Sequence, residues 1–217
     1  MSDNHTIDHP EHLAHHFHDS GQQSESAKMG MWIFLLTEIL LFGGLFVAYT
    51  VYRVWNPDMF INAHKQLNVF MGGLNTVVLI TSSITIALAI RSIQLDDRKN
   101  SIKLLIATLL LAGAFLVVKY FEYSHKFHLG QLPGEYYTFK GIEGTNPHVF
   151  FSVYFLMTGL HGIHVIAGIG VISWVLRKTI KGQFSSSYYT PMELSGLYWH
   201  LVDIIWIFLF PLLYLIG

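Results

Sequence analysis

The sequence predicts an all-α polytopic membrane protein, a bundle of five transmembrane helices. Three observations carry that prediction. Of 217 residues, 52% are hydrophobic and only 12% charged, about half the ~25% charged content of ordinary soluble domains. Five stretches are each apolar over the roughly 20 helical residues that a ~30 Å bilayer core requires. The segments between them gather charge, proline and glycine.

The chain opens on a polar tail, residues 1–28, with His5, His9, His12, His15, His16 and His18. It has no apolar core, so no cleavable signal is expected and the first span serves as its own insertion signal. His12 and His16 stand at i, i+4, so a helical tail could hold a metal weakly; the plainer reading is a solvated, pH-sensitive and flexible tail. The membrane domain, 29–217, then carries spans at about 30–52, 68–90, 102–123, 149–176 and 197–216. "NPDMF" ends the first, because Pro57 disfavours continued helix. "LDDRKN" is a charged turn between spans two and three. "LGQLPGEYYTFKGIEGTNPH" and "KGQFSSSYYTPMEL" are the later loops. The fourth span exceeds a simple crossing, which permits tilt. No internal repeat is present.

Lysine and arginine set the orientation. One side holds Lys28, Arg91, Arg98, Lys99, Lys103, Arg177, Lys178 and Lys181. The other holds only Arg53, Lys65, Lys119, Lys126 and Lys140. The N-terminus is therefore expected in the cytoplasm and the C-terminus outside. A net charge of −1 offers no basic face to nucleic acid. With no cysteine, disulfides, iron–sulfur clusters, thiolate zinc sites and cysteine nucleophiles are excluded. No phosphate-binding glycine loop, HExxH helix or nucleophile–base pair occurs.

Charge at mid-membrane costs at least ~2.5 kcal/mol, so ionisable residues in the spans should face protein or water. They are Glu38, Lys119, Glu122, His161, His164, His200 and Asp203. At ~1.5 Å rise per residue, Glu38 lies about 12 Å, and His200 and Asp203 about 5–10 Å, from the cytoplasmic surface. His164 can share that layer, while Glu122 sits at the outer end of span three, one turn after Lys119. Three readings compete. His164 and His200 could ligate a haem, as in a haem-b membrane anchor. The acids and histidines could form a proton or ion relay, as in a small transporter. Or they hydrogen-bond helix to helix, the bland reading that spacing favours. His200 and Asp203, at i, i+3, can bond to each other or to other helices.

Small residues suit close packing: Gly43, Gly44 and Ala48 on span one, Gly72 and Gly73 on span two, and Gly159, Gly162, Ala167, Gly168 and Gly170 on span four. Trp199 is expected at the headgroup level and Trp206 deeper, packed on protein.

Five quoted motifs carry a resemblance. "WIFLLTEILLFGG", "GGLNTVVLITSS", "KYFEYSH", "TGLHGIHVIAG" and "ELSGLYWHLVDIIWIFLFPLLY" occur in the order found in subunit III of the haem–copper oxidases. The chain resembles that family from about Lys28 to its end. The resemblance implies an accessory, non-redox subunit of an aerobic terminal oxidase that reduces O2 to water and pumps protons. Glu38 is similar to the family's buried, carbodiimide-reactive carboxylate. Glu193, His200 and Asp203 match its polar positions on the last helix, His161 and His164 its histidine pair, and Asn75 and Glu122 two further motif positions.

By the same resemblance, this chain binds no cofactor or metal and has no catalytic residue. Haem and copper belong to subunits I and II. The chain packs on subunit I, supports proton uptake at its cytoplasmic face, retains phospholipid and prolongs catalytic lifetime. Cytochrome c is the preferred donor to the complex; a quinol oxidase or nitric oxide reductase subunit is the alternative within the family. Fuller members have seven spans around a lipid-filled cleft, and this chain lacks the first two. Arg177, Lys178 and Lys181 could still meet lipid headgroups, although ordinary positive-inside charge explains them equally. The short form and His-rich tail resemble bacterial members, implying a multi-pass protein of the bacterial cell membrane.

Overall fold

The structure is a computed structural model and describes residues 17, 19–139, 141–142 and 146–216. The tail histidines His12 and His16, and Lys140 in the long loop, lie outside the described residues. Among these residues the elements are helical and no strand forms. Five helices are long and apolar enough to cross a membrane: α1 (Ser20–Trp55), α3 (Val69–Gln94), α4 (Arg98–His128), α5 (His148–Ile180) and α6 (Thr190–Phe210), the last continued by a turn to Leu215. We call the end where α1 begins proximal and the opposite end distal.

The helices outrun the apolar stretches at several ends because polar side chains cap them there. Asp19 accepts a hydrogen bond from the Gln22 amide at 2.7 Å, Asn68 from Met71 at 3.2 Å and Asp97 from Asn100 at 3.0 Å, each satisfying an orphan donor of a first turn. Helix α1 thereby takes in the polar residues from Ser20 to Lys28. Pro57 ends α1 as its chemistry demands, yet it also opens a short helix, α2 (Pro57–His64). At a first helical position its missing N–H costs nothing. Phe60 of α2 then meets Tyr49 and Phe150 edge-on, at 5.4 and 5.3 Å, and seals the distal core.

Helices α3 and α4 pair most extensively. The buried side of α4 runs Ser101, Leu105, Thr108, Ala112, Phe115, Lys119, Glu122, Lys126, alternating steps of four and three. Gly72, Asn75, Leu79, Ser82, Ile86, Ala89 and Ile93 repeat that pattern on α3. Such a repeat keeps one seam facing its partner at a shallow crossing angle. Helices α5 and α6 complete a four-helix core, with α6 touching both α3 and α5. Helix α1 stands at its flank and buries only Leu35, Phe42 and Tyr49, one residue in seven.

Lipid is as apolar as leucine, so these helices hold by close packing and hydrogen bonds. A Cβ built on Gly168 would lie 2.6 Å from the Trp199 ring, and one on Gly72 2.8 Å from Phe210. Gly43, Gly44, Gly162 and Gly170 have no such neighbour within 4 Å; they face outward. Trp199 departs from expectation: it is fully buried, and its Nε1 donates to Ser82 Oγ at 3.0 Å. Its position on α6 turns toward α3, and Gly168 of α5 opens the slot for its ring. Trp206 is buried as expected, donating to Thr76 Oγ1 at 3.0 Å.

Pro211 has no N–H to continue α6. The chain widens into a π turn from Pro211 to Leu215, closed by the Ile216 amide on Pro211 O at 2.9 Å. The Tyr49 hydroxyl donates to the Leu212 carbonyl at 2.7 Å, satisfying one of the acceptors that a helix end leaves bare.

Candidate functional site

The intramembrane polar residues divide into three clusters. The first joins α1 to α5. Glu38 Oε2 lies 2.7 Å from His164 Nε2, with the side chains 14% and 15% exposed. His164 Nδ1 lies 2.8 Å from the Leu160 carbonyl. A carbonyl only accepts, so Nδ1 carries hydrogen. The Glu38–His164 contact therefore holds one proton, resident on either the carboxyl or the imidazole, and in both forms the pair is neutral overall. Tyr198 of α6 donates to the His164 carbonyl at 3.0 Å, and Phe42 lies edge-on to the imidazole at 5.3 Å. On the proximal side a groove of about 360 Å³ opens between α1 and the α5–α6 pair, lined by Met31, Phe34, Ala167, Val171, Leu194, Ser195 and Tyr198.

The second cluster lies between α3 and α6. His200 Nδ1 is 2.6 Å from Ser83 Oγ. Asp203 is 3% exposed, and neither carboxyl oxygen has a hydrogen-bond partner among the described residues. Both side chains line a cleft of about 390 Å³ with Ser83, Ile80, Ile84 and Ala87 of α3 and Ile204 and Ile207 of α6. His200 and Asp203 thus share a face, but His200 bonds to the neighbouring helix and not to Asp203.

The third cluster lies in the distal core. Lys119 Nζ donates to Glu122 Oε2 at 2.9 Å, Tyr214 Oη at 2.8 Å and Tyr154 Oη at 3.3 Å. The two tyrosines in turn donate to Glu122 Oε1 at 2.6 and 2.9 Å. The π turn brings Tyr214 into this ring of bonds. The ammonium also stands 4.8 Å from the centre of the Trp206 ring, a favourable cation–π distance. Lys126, two turns on from Lys119, donates to the Gln66 carbonyl at 3.5 Å. Above the cluster His161 packs on Trp206 and Phe115, at 5.2 and 5.6 Å between ring centres. His161 and Asn75 are each 0% exposed, without a side-chain hydrogen bond among the described residues.

At the proximal end Glu193 pairs with Lys28 at 3.1 Å, and Ser24 Oγ meets Thr190 Oγ1 at 3.2 Å. Both contacts tie α1 to the start of α6. Lys178 stands 4.3 Å above Trp174, and Arg177 and Lys181 are exposed. Asp96, in the α3–α4 turn with φ +57°, accepts from the Ser186 amide of the α5–α6 loop at 2.8 Å. That amide holds the Asp96 carboxyl below its usual range.

The layer expected to gather Glu38, His164, His200 and Asp203 is thus two separate sites on different sides of α6. The bis-histidine pairing does not form, since His164 spends both ring nitrogens on Glu38 and Leu160 and His200 turns to α3. The helix-to-helix reading describes Glu38, His164, Glu122 and His200. Sequence reasoning did not single out Ser83, Tyr154 or Tyr214. Ser83 lies among ordinary helix residues, and no spacing rule connects Tyr154 and Tyr214 to Glu122 across three helices. The tyrosines did leave one signal, as phenols in apolar spans that need partners.

The family model for cytochrome c oxidase subunit III matches residues 11–217. The chain is 33% identical to cytochrome c oxidase subunit 3 of Thermostichus vulcanus over 193 residues, 87% of this chain and 86% of that one. It is 30% identical to quinol oxidase subunit 3 of Bacillus subtilis over 204 residues, covering 90% and 91%. It is 28% identical to the haem–copper oxidase subunit I+III of Aeropyrum pernix, over 88% of this chain but only 23% of that longer one. The class is a membrane subunit of the haem–copper oxidases. Within it, this chain belongs to the cytochrome c oxidase subunit III family.

Proposed function

We propose that the chain is the accessory, non-redox subunit of a bacterial aerobic oxidase, seated on subunit I. Haem and copper reside in subunits I and II, and cytochrome c is the electron donor. The N-terminus and the proximal end face the cytoplasm, in line with the arginines and lysines gathered there. In this orientation the Glu38–His164 pair lies toward the side from which protons are taken up. The observation that carries the proposal is the 2.7 Å contact between Glu38 Oε2 and His164 Nε2, which calls for one proton between the two groups. A pair able to keep it on either partner, at the edge of a bilayer-facing groove, can release that proton and take up another, returning to the neutral state after each exchange. Its role is to support proton uptake by subunit I, and through it the working life of the enzyme.

The groove lined by Met31, Phe34, Val171 and Tyr198 is apolar and suits an acyl chain. Arg177 and Lys181, exposed at the proximal end of α5, are placed to meet its phosphate. His161, Glu122, Asn75 and Asp203 serve packing.

The test is Glu38→Gln in the assembled oxidase. Gln keeps size and hydrogen bonding but cannot exchange the proton. The expected outcome is unchanged haem spectra with slower proton uptake or faster inactivation during turnover. Uptake and lifetime equal to the parent enzyme would refute the role. Parallel assays with reduced cytochrome c and with a quinol settle the donor.

A further inference from the structure

We propose that the distal end of α4 holds a small cluster of ordered water, bound by Lys126 and Gln131 beneath the loop that follows the helix. This site lies apart from the Glu38–His164 pair and does not depend on the role given to that pair.

Helix α4 closes in a Schellman turn. The Gln131 amide donates to the Lys126 carbonyl at 3.1 Å and the Gly130 amide to the Phe127 carbonyl at 3.2 Å. Gly130 takes the left-handed φ of +71° that this turn requires. Such a turn sets the side chains of its first and last residues against each other, and an apolar pair frequently fills those positions. Here they are a lysine and a glutamine, and both are buried: Lys126 is 2% and Gln131 0% exposed. The loop then returns across the helix end, with the Thr138 and Phe139 amides on Gly130 O at 2.9 and 3.3 Å.

The hydrogen bonds of these two side chains do not close. Lys126 Nζ has three N–H groups and makes one long bond, 3.5 Å to Gln66 O. Its other neighbours are the rings of Phe151 and Tyr154, at 5.7 and 5.2 Å. Gln131 Nε2 and Oε1 have no hydrogen-bond partner among the described residues. Neither has His64 Nδ1, buried two residues before Gln66. Leaving an amide and an ammonium unbonded in a protein interior is costly, so the site calls for a ligand.

Its chemistry selects water. Both side chains are enclosed by this chain, which leaves no room for an acyl chain or a second protein segment. An anion only accepts, so it would serve the Lys126 and Gln131 donors and leave Gln131 Oε1 bare. Water donates as well as accepts and meets all of them. Charge does not demand an anion either. Glu122 stands one turn before Lys126, and the carbonyl end of α4 presents the negative end of its dipole to the ammonium. His128 and Leu129 are exposed on the same turn, so the distal surface is within a few residues.

Hydroxyl-radical footprinting of the intact complex tests the site, because X-ray radiolysis of bound water labels the side chains beside it. Phe151 and Phe115 are both 0% exposed, and of the two it is Phe151 that borders Lys126. The expected result is labelling of Phe151 several-fold faster than Phe115. Combining Lys126→Met with Gln131→Leu gives the turn its usual apolar pair and should bring Phe151 down to the rate of Phe115. Equal rates in the parent would overturn the proposal, as would a fast Phe151 rate that survives the double change. A density map of the parent complex that resolves ordered water, recorded in chloride and again in bromide, is the second arm. Peaks of unchanged height within hydrogen-bond reach of Lys126 Nζ and the Gln131 amide support water. A peak that strengthens in bromide would overturn it in favour of an anion, and a site without peaks would overturn it outright.

Discussion

Replacing Lys119 by Met removes the ammonium from a core in which Glu122 keeps its carboxylate. At 2.9 Å and an effective dielectric of ~20, the gross attraction of the pair is roughly 6 kcal/mol. Desolvation of both groups offsets much of that, and stripping one member from a buried pair typically costs about 3–5 kcal/mol. Lys119→Met should fall in that range. Glu122→Gln should fall near its lower end, since Tyr154 and Tyr214 can still donate to the amide oxygen. The double variant leaves no lone charge, so it should cost less than the two single changes together by about 2–4 kcal/mol. The assay is SDS titration of the purified subunit in mixed micelles, followed by tryptophan fluorescence. Trp206, 4.8 Å from the ammonium, reports from the site. Single effects that add to within ~0.5 kcal/mol would show that the two groups do not act as a pair.

Other consequences are open to similar tests. Gly168→Leu drives a side chain into the Trp199 ring and should destabilise the bundle by about 1–3 kcal/mol; Gly43→Leu, with no neighbour within 4 Å, should change it by less than ~0.5 kcal/mol. Trp199→Phe keeps the slot filled but loses the bond to Ser82, for about 0.6–1.7 kcal/mol by the same titration. Asp96→Asn preserves a residue tolerant of positive φ while removing the carboxylate that receives Ser186. Because the folded-state pKa of Asp96 is depressed, its contribution is present above the ordinary carboxylate range of ~4 and is lost as pH falls through the lower folded value. Protection of the Ser186 amide, measured by hydrogen exchange relative to the intrinsic rate at each pH, should therefore fall in acid for the parent and stay independent of pH for Asp96→Asn, whose Oδ1 accepts the same bond without titrating.

The five spans were legible because membrane helices announce themselves by length and apolarity alone. Their inward faces were less so. Helix α4 shows why: Leu109, Leu110 and Leu111 are equally apolar, and only the four-three spacing of Thr108, Ala112, Phe115 and Lys119 marks the buried side. Depth arithmetic placed Glu38 and His164 in one layer, and they meet. The same arithmetic placed His200 there as well, but depth contains no azimuth, and His200 turned to Ser83. Trp199 misled for a related reason: an indole near a helix start suits a headgroup, and the slot at Gly168 depends on how α5 and α6 cross. The Lys119 cluster joins α4, α5 and the π turn. Its members became neighbours only through tertiary packing, and Pro211, which brings Tyr214 around, reads in the sequence merely as a helix end.

Helix α1 also has a mechanical meaning. Its distal half is pinned, with Tyr49 bound to Leu212 O and stacked edge-on to Phe60. Its midpoint is fastened through Glu38, and its proximal end by Lys28 and Ser24. Between these points only one residue in seven enters the core. Of the five spans it buries the fewest residues, so these few polar ties, more than packing, fasten it to the other four helices.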